Sequence, residues 1–497
     1  MDTSNEDEDL KRAIALSVQE QEPQPSADKE VIDVGSEGGL PNASVTVPSP
    51  PVPVSTSHTL LGLDREAMEH ERLARKRKAS ISPPPSRKAM KESDSFTLLS
   101  YAQNLHAMYL DGIVKKSWVF GFARKDDISI EEVLQRDHLE LAVLSSFQWD
   151  IGWVLARLQK TTTTQLYFVM QAKDDATKRR YTKETSKIRN LRLCFPSMAG
   201  QVNCMHSKLM LLSYPSHLRV VVPTANLVDH DWRGNGLIEN TVFLIDLPRK
   251  PDGHHTDTTE LTAFGKELVY FLQAMGLENT VVQSVHKFDF SKTKDMAFVH
   301  TIGGVHIGDE AWGRTGYCGL GRAVKQLGLD THKSLNMDFV TSSMGSLNIG
   351  FLTTLYLAAQ GDDGLTEYTW RYSKKTKAKT SDADKEAQEF KDRVETDVSK
   401  DFHIYFPTRD TVASSRGGVR GGGTICFEEK WYESPTFPQQ LLRDCKSHRT
   451  GVLMHNKVGR FFFTRSLVGA LEITSLALLF SMIPKCISIW RRFGSIH

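Results

Sequence analysis

The stretch "CMHSKLMLLSYPSHLRVVVPTAN", Cys204 to Asn226, decides how the chain folds. "KLMLLSY" and "LRVVVPTAN" are apolar runs of strand length, and "PSH" between them carries turn residues. Together they read as a β-hairpin ending at Asn226. Residues i and i+2 of a strand face the same way, so His206 and Lys208 share one face and Ser207 turns away. A hairpin of this length places Asn226 near His206 and Lys208. The same Met-His-x-Lys order returns in "GVLMHNKVGRFFF", Gly451 to Phe463, at His455 and Lys457.

Working outward, the composition is globular from about residue 96. Apolar runs such as "NTVFLIDLP" alternate with stretches such as "ELTAFGKELVYFLQAMG", whose apolar residues recur at three- and four-residue spacing. Short buried strands alternating with helices indicate an α/β fold. The charged segment Arg371 to Asp401 reads as a surface loop plus an exposed helix.

The chemistry of a duplicated His-x-Lys is readable. A neutral imidazole is a competent nucleophile near neutral pH. A Lys ammonium and an Asn amide hold a phosphoryl group and neutralise the charge that builds on it in the transition state. A second copy facing the first supplies a general acid for the leaving oxygen, and later a base for water. Such a site needs no metal or other cofactor. A lone His-x-Lys is usually a surface pair; two copies, one leading into a hairpin that ends in "TAN", argue for one site built from two halves.

The chain has 497 residues, enough for two or more domains, with 40% hydrophobic and 25% charged residues. Its net charge of +2 means that any nucleic-acid surface is local. None of the six cysteines forms a C-x-x-C pair, so zinc-site spacing is missing, and the acidic start "MDTSNEDEDL" is no secretory signal. Scattered cysteines without that signal fit a reducing compartment.

Residues 1–95 are rich in Pro, Ser, Val and Gly and are expected to be disordered. Two segments stand out. In "EDEDLKRAIALSVQE" (6–20), Leu10, Ala13, Ile14 and Ser17 share one helical face behind an acidic run. The pattern resembles a ubiquitin-interacting motif. "RLARKRKASISPPPSRK" (72–88) reads as a nuclear-import cluster, which points to the nucleus, or as a phosphate-backbone patch.

From about residue 96 to 458 the chain resembles the tyrosyl-DNA phosphodiesterase family of the phospholipase D superfamily, its fungal branch most. The resemblance rests on both His-x-Lys pairs without the Asp of most superfamily members. It also rests on "PTANLVDHDW", "ENTVFLIDLPR", "SSMGSL" and "YFPTRDTV". It implies two similar α/β halves, 96–292 and 293–465, with the site between them. It further implies His206 as the nucleophile forming a phosphohistidine, and His455 as general acid and base. Lys208, Lys457 and Asn226 would bind phosphate, Ser343 would contact DNA, and Glu239 would support the nucleophilic His. The implied substrate is a DNA 3′ end blocked by a topoisomerase I-derived tyrosyl peptide or another adduct.

The family places a second Asn beyond the second His-x-Lys, and no Asn follows Asn456 here. The apolar tail, 466–497, reads as aberrant and the second half as truncated, with unpaired strand edges. An artefact of gene prediction just past Lys457 explains it best, ahead of a natural divergent end. A membrane anchor fits poorly, because Glu472, Pro484 and Lys485 leave no run that spans a bilayer. A DNA-end and ubiquitin-binding protein with impaired catalysis is the second reading. A lipid phosphodiesterase or nuclease is the third, and the absent Asp and the basic cluster oppose a lipid substrate.

Overall fold

The computed structural model describes residues 108–158, 163–198, 204–232, 236–251, 256–308, 310–373, 382–463, 475–479 and 487–490. The segments 6–20, with Leu10, Ala13, Ile14 and Ser17, and 72–88 lie outside them.

The first nine strands are β1 Ile113–Ser117, β2 Asp127–Ile128, β3 Leu141–Ser145, β4 Gln165–Val169, β5 Leu191–Cys194, β6 Leu209–Ser213, β7 His217–Pro223, β8 Ile238–Glu239 and β9 Thr241–Pro248. Eight form one sheet in the order β2-β1-β9-β7-β6-β3-β4-β5. Strands β3, β4 and β5 run parallel, and helices Ile151–Leu158 and Asp175–Thr185 make the crossovers that parallel neighbours require. The hairpin is β6–β7, with Leu212 opposite Arg219 and the Tyr214 N–H donating to the His217 carbonyl at 2.9 Å. Leu209 and Leu211 enter one core cluster while Met210 and Leu212 enter another on the opposite face. A sheet covered on both faces needs a continuous apolar run, which is why "KLMLL" does not alternate. Within β7, Arg219 is fully buried and bidentate to Asp246 of β9, at 2.7 and 2.9 Å.

The remaining strands are β10 Met296–Val299, β11 Leu335–Thr341, β12 Phe402–Tyr405, β13 Leu442–Arg443, β14 Leu453–Met454, β15 Lys457–Phe463, β16 Ser475–Leu479 and β17 Ile487–Trp490. A second sheet has the order β10-β17-β16-β15-β11-β12-β13. It repeats the plan of the first. Three parallel strands are followed by an antiparallel strand that a His-x-Lys leads into: β6 on β3, and β15 on β11. Helix Ala263–Ala274 lies where the halves meet, its Phe264, Leu268 and Leu272 sharing a core with β6, β7, β9 and Phe298 of β10.

One expectation changes. The apolar tail supplies β16 and β17, which pair antiparallel with β15 and β10, so strand edges expected to be bare carry partners. In the segment expected to hold an exposed helix, Asp382–Asp401 is a helix, mostly exposed, that buries Val394 and Val398 in the second core.

Candidate active site

Residues 204–208 form an extended lead into β6 rather than part of it, yet the i, i+2 relation survives. The Lys208 Nζ lies 2.9 Å from His206 Nδ1, and both residues are buried. An ammonium only donates, so His206 accepts on Nδ1 and its ring is neutral. The Ser145 hydroxyl at the end of β3 donates to the Ser207 carbonyl at 3.0 Å, fixing this lead. Phe147 stacks on the His206 ring, with centroids 4.4 Å apart.

Asn226 follows β7, and its Oδ1 accepts from the Gln148 N–H at 3.2 Å, beside the stacking Phe147. The Trp232 indole donates to the Asn226 carbonyl at 2.9 Å, and the Asn226 N–H donates to Asp231 Oδ2 at 2.6 Å. The short helix Asp229–Trp232 folds back to make both bonds.

His455 sits between β14 and β15. The parallel pairing of β14 with β8 brings the second half to the first, with Met454 opposite Glu239 and the His455 N–H donating to the Glu239 carbonyl at 3.0 Å. Its Nδ1 lies 3.1 Å from Asp231 Oδ2, within the first half. Asn456 also reaches across, accepting from the Thr241 hydroxyl at 3.0 Å. Lys457 opens β15 and donates to the Ser342 hydroxyl at 3.0 Å. Ser343, next along, is only half-buried, and its carbonyl accepts from the Thr341 hydroxyl.

The two histidines therefore face opposite charges. An ammonium caps Nδ1 of His206, whereas a fully buried carboxylate faces Nδ1 of His455. Burial, and then the Lys457 ammonium, push the His455 imidazole down to about 4; Lys208 adds to the shift and Asp231 opposes it. Burial alone would raise the Asp231 carboxyl, but the charge and hydrogen bond of His455, with His230 and the Asn226 N–H, hold it below the usual range. Lys208 of the first half thus acts on His455 of the second: the two copies share one electrostatic site. An anion at the two lysines would offset the charges that depress His455 and favour its protonation.

Glu239 does not serve the nucleophile as expected. Its buried carboxylate accepts from Ser447 at 2.7 Å and Arg449 at 3.2 Å, and its carbonyl holds His455. Sequence reasoning missed Asp231, Ser342 and Phe147. Asp231 and Ser342 stand inside quoted stretches, and a lone acid or hydroxyl close to a His or Lys candidate was the available signal.

Residues 113–472 match the tyrosyl-DNA phosphodiesterase family, and residues 5–21 match the ubiquitin interaction motif. Tyrosyl-DNA phosphodiesterase 1 of Arabidopsis thaliana is 26% identical over 199 residues, 38% of this chain and only 31% of that protein. The crystal structure of the yeast tyrosyl-DNA phosphodiesterase superposes with a TM-score of 0.53 at 14% identity, over 76% of this chain and 90% of that one. A substituted form of the yeast enzyme superposes with a TM-score of 0.52 at 15% identity, over 77% and 91%. At these identities the superpositions speak for the fold, and the match over residues 113–472 speaks for descent: the chain belongs to the tyrosyl-DNA phosphodiesterase family.

Proposed function

We propose that the chain is a DNA-repair phosphodiesterase that hydrolyses DNA 3′ ends blocked by a topoisomerase I-derived tyrosyl peptide or another 3′ adduct. The observation that supports this most is that the two histidines face groups of opposite charge, Lys208 at His206 and Asp231 at His455. Lys208 and Lys457 hold the phosphate, with the Asn226 amide at its edge. As the Lys208 ammonium moves from His206 Nδ1 onto a phosphate oxygen, the neutral ring is free to attack phosphorus. The N–P bond forms, the P–O bond to tyrosine breaks, and His455 delivers its proton to the leaving oxygen. His455 then takes a proton from water, whose oxygen displaces His206 and leaves a 3′-phosphate. Charge neutralisation by two lysines lets the reaction run without a metal. Ser343 contacts the DNA strand, the N-terminal motif binds ubiquitin, and the basic cluster directs the chain to the nucleus.

A 3′-phosphotyrosyl oligonucleotide in EDTA should give a 3′-phosphate end. Cleavage that stops in EDTA and returns with Mg²⁺ would contradict the two-histidine route.

One observation favours a second reading, a DNA-end and ubiquitin-binding protein with impaired catalysis. Strand β16 lies beside β15 as β7 lies beside β6, but β7 leads to Asn226 and no Asn follows β16. Capture of a DNA adduct on His206 would exclude it.

A further inference from the structure

Beyond the site, a set of charges with buried carboxylates ties the segment before His455 to the first half. Arg449 donates to Glu239 Oε2 at 3.2 Å, to the Ser117 carbonyl at 2.8 Å and to Asp127 Oδ2 at 2.8 Å. Arg124 holds Asp127 and Glu132, each at 2.6 Å, and Lys116 stands 3.6 Å from Glu239. Three cations face three carboxylates, and the carboxylates are buried. Buried charges persist only with such compensation.

Glu239 is the hinge of this set. Its side chain takes Arg449 and Ser447, while its carbonyl takes the His455 N–H. The next residue, Asn240, donates its side-chain amide to the Asp231 carbonyl at 2.7 Å and its backbone N–H to the Ser117 hydroxyl at 2.9 Å, and the Ser117 carbonyl is held by Arg449. One two-residue segment therefore holds the backbone of His455 and the backbone of Asp231, whose carboxylate faces its ring. His206 is fixed elsewhere, through Ser145 and Phe147.

We infer that Arg449 and Glu239 are positioning residues for His455: their ion pair holds that imidazole over the shared site, and loosening it impairs proton delivery and adduct hydrolysis while sparing attack by His206. The inference rests on the acid–base role proposed for His455.

The test is single-turnover cleavage by the full chain of two oligonucleotides, one ending in 3′-phosphotyrosine and one in 3′-p-nitrophenyl phosphate. The second leaving group is far more acidic and departs without a proton. Arg449→Lys keeps the charge and loses the fork that bridges Glu239, Asp127 and Ser117. It should slow the tyrosyl substrate about tenfold or more, since displacement by a full ångström can cost about 10²-fold. The p-nitrophenyl rate should stay within about twofold and the DNA-linked intermediate should accumulate. Ser447→Ala leaves every charge in place and should shift the same ratio the same way, so it decides the matter if Arg449→Lys does not fold. Equal losses on both substrates, or none in either variant, would overturn the inference. His455→Ala separates the failures. If it does not discriminate between the leaving groups, the acid–base reading fails; if it does and neither other variant does, only the positioning inference fails.

Discussion

Replacing Asp231 with Asn removes one buried negative charge and nearly preserves shape. An Asn oxygen can still accept the Asn226 N–H that now reaches Asp231 at 2.6 Å. What disappears is the anion 3.1 Å from His455 Nδ1. For unit charges about 4 Å apart at an effective dielectric of about 20, the attraction is about 4 kcal/mol, or about three pKa units. His455 already lies at about 4 through burial and then Lys457, with Asp231 the opposing influence. Without Asp231 the imidazolium becomes still harder to form, even beside a bound phosphate. Tyrosine, whose phenol titrates near 10, then leaves almost unaided. Single-turnover cleavage of 3′-phosphotyrosyl DNA should fall by about 10² to 10³, while the 3′-p-nitrophenyl substrate should lose less than about fivefold. The alkaline limb of kcat reports loss of the His455 proton in the bound state, so in Asp231→Asn it should move to lower pH. An equal loss on both substrates, or an unmoved alkaline limb, would mean that Asp231 does not sustain the His455 proton.

Two further outcomes follow from buried charge. His455 resists protonation down to about 4 in the folded chain against an ordinary 6.5. Unfolding therefore takes up a proton between those values, and stability falls as pH drops through that window, by about 3 kcal/mol in all. In denaturant melts wild type should lose stability relative to His455→Gln, whose side chain does not titrate, as pH falls from about 6.5 toward 4; parallel pH profiles would contradict this. Asp246→Ala leaves the fully buried Arg219 without its bidentate partner. Urea unfolding should show a loss of about 3–5 kcal/mol, and a loss below about 1 kcal/mol would mean the pair is dispensable.

The hairpin and the paired histidines were legible because their signals are local. Two apolar runs around "PSH" specify β6 and β7, and the repeated His-x-Lys marks both halves. Asp231 was visible five residues past Asn226, but nothing local shows that the turn Asp229–Trp232 aims it at a histidine 224 positions away. The Arg449 clamp is harder still, since its contacts span 210 and 322 positions and neither partner stands in a periodic pattern. The tail misled for the same reason. "SLALL" and "ISIW" carry no hairpin turn signature, and their strand character comes from nonlocal pairing with β15 and β10.

The most direct test of the account is the fate of His206. The His455→Ala chain, incubated with 3′-phosphotyrosyl or 3′-p-nitrophenyl DNA and digested, should yield by mass spectrometry one acid-labile DNA 3′-phosphoryl adduct. It should map to the peptide containing His206, and His206→Ala should abolish both adduct and cleavage. An adduct on another residue, or cleavage that survives His206→Ala, would contradict the account.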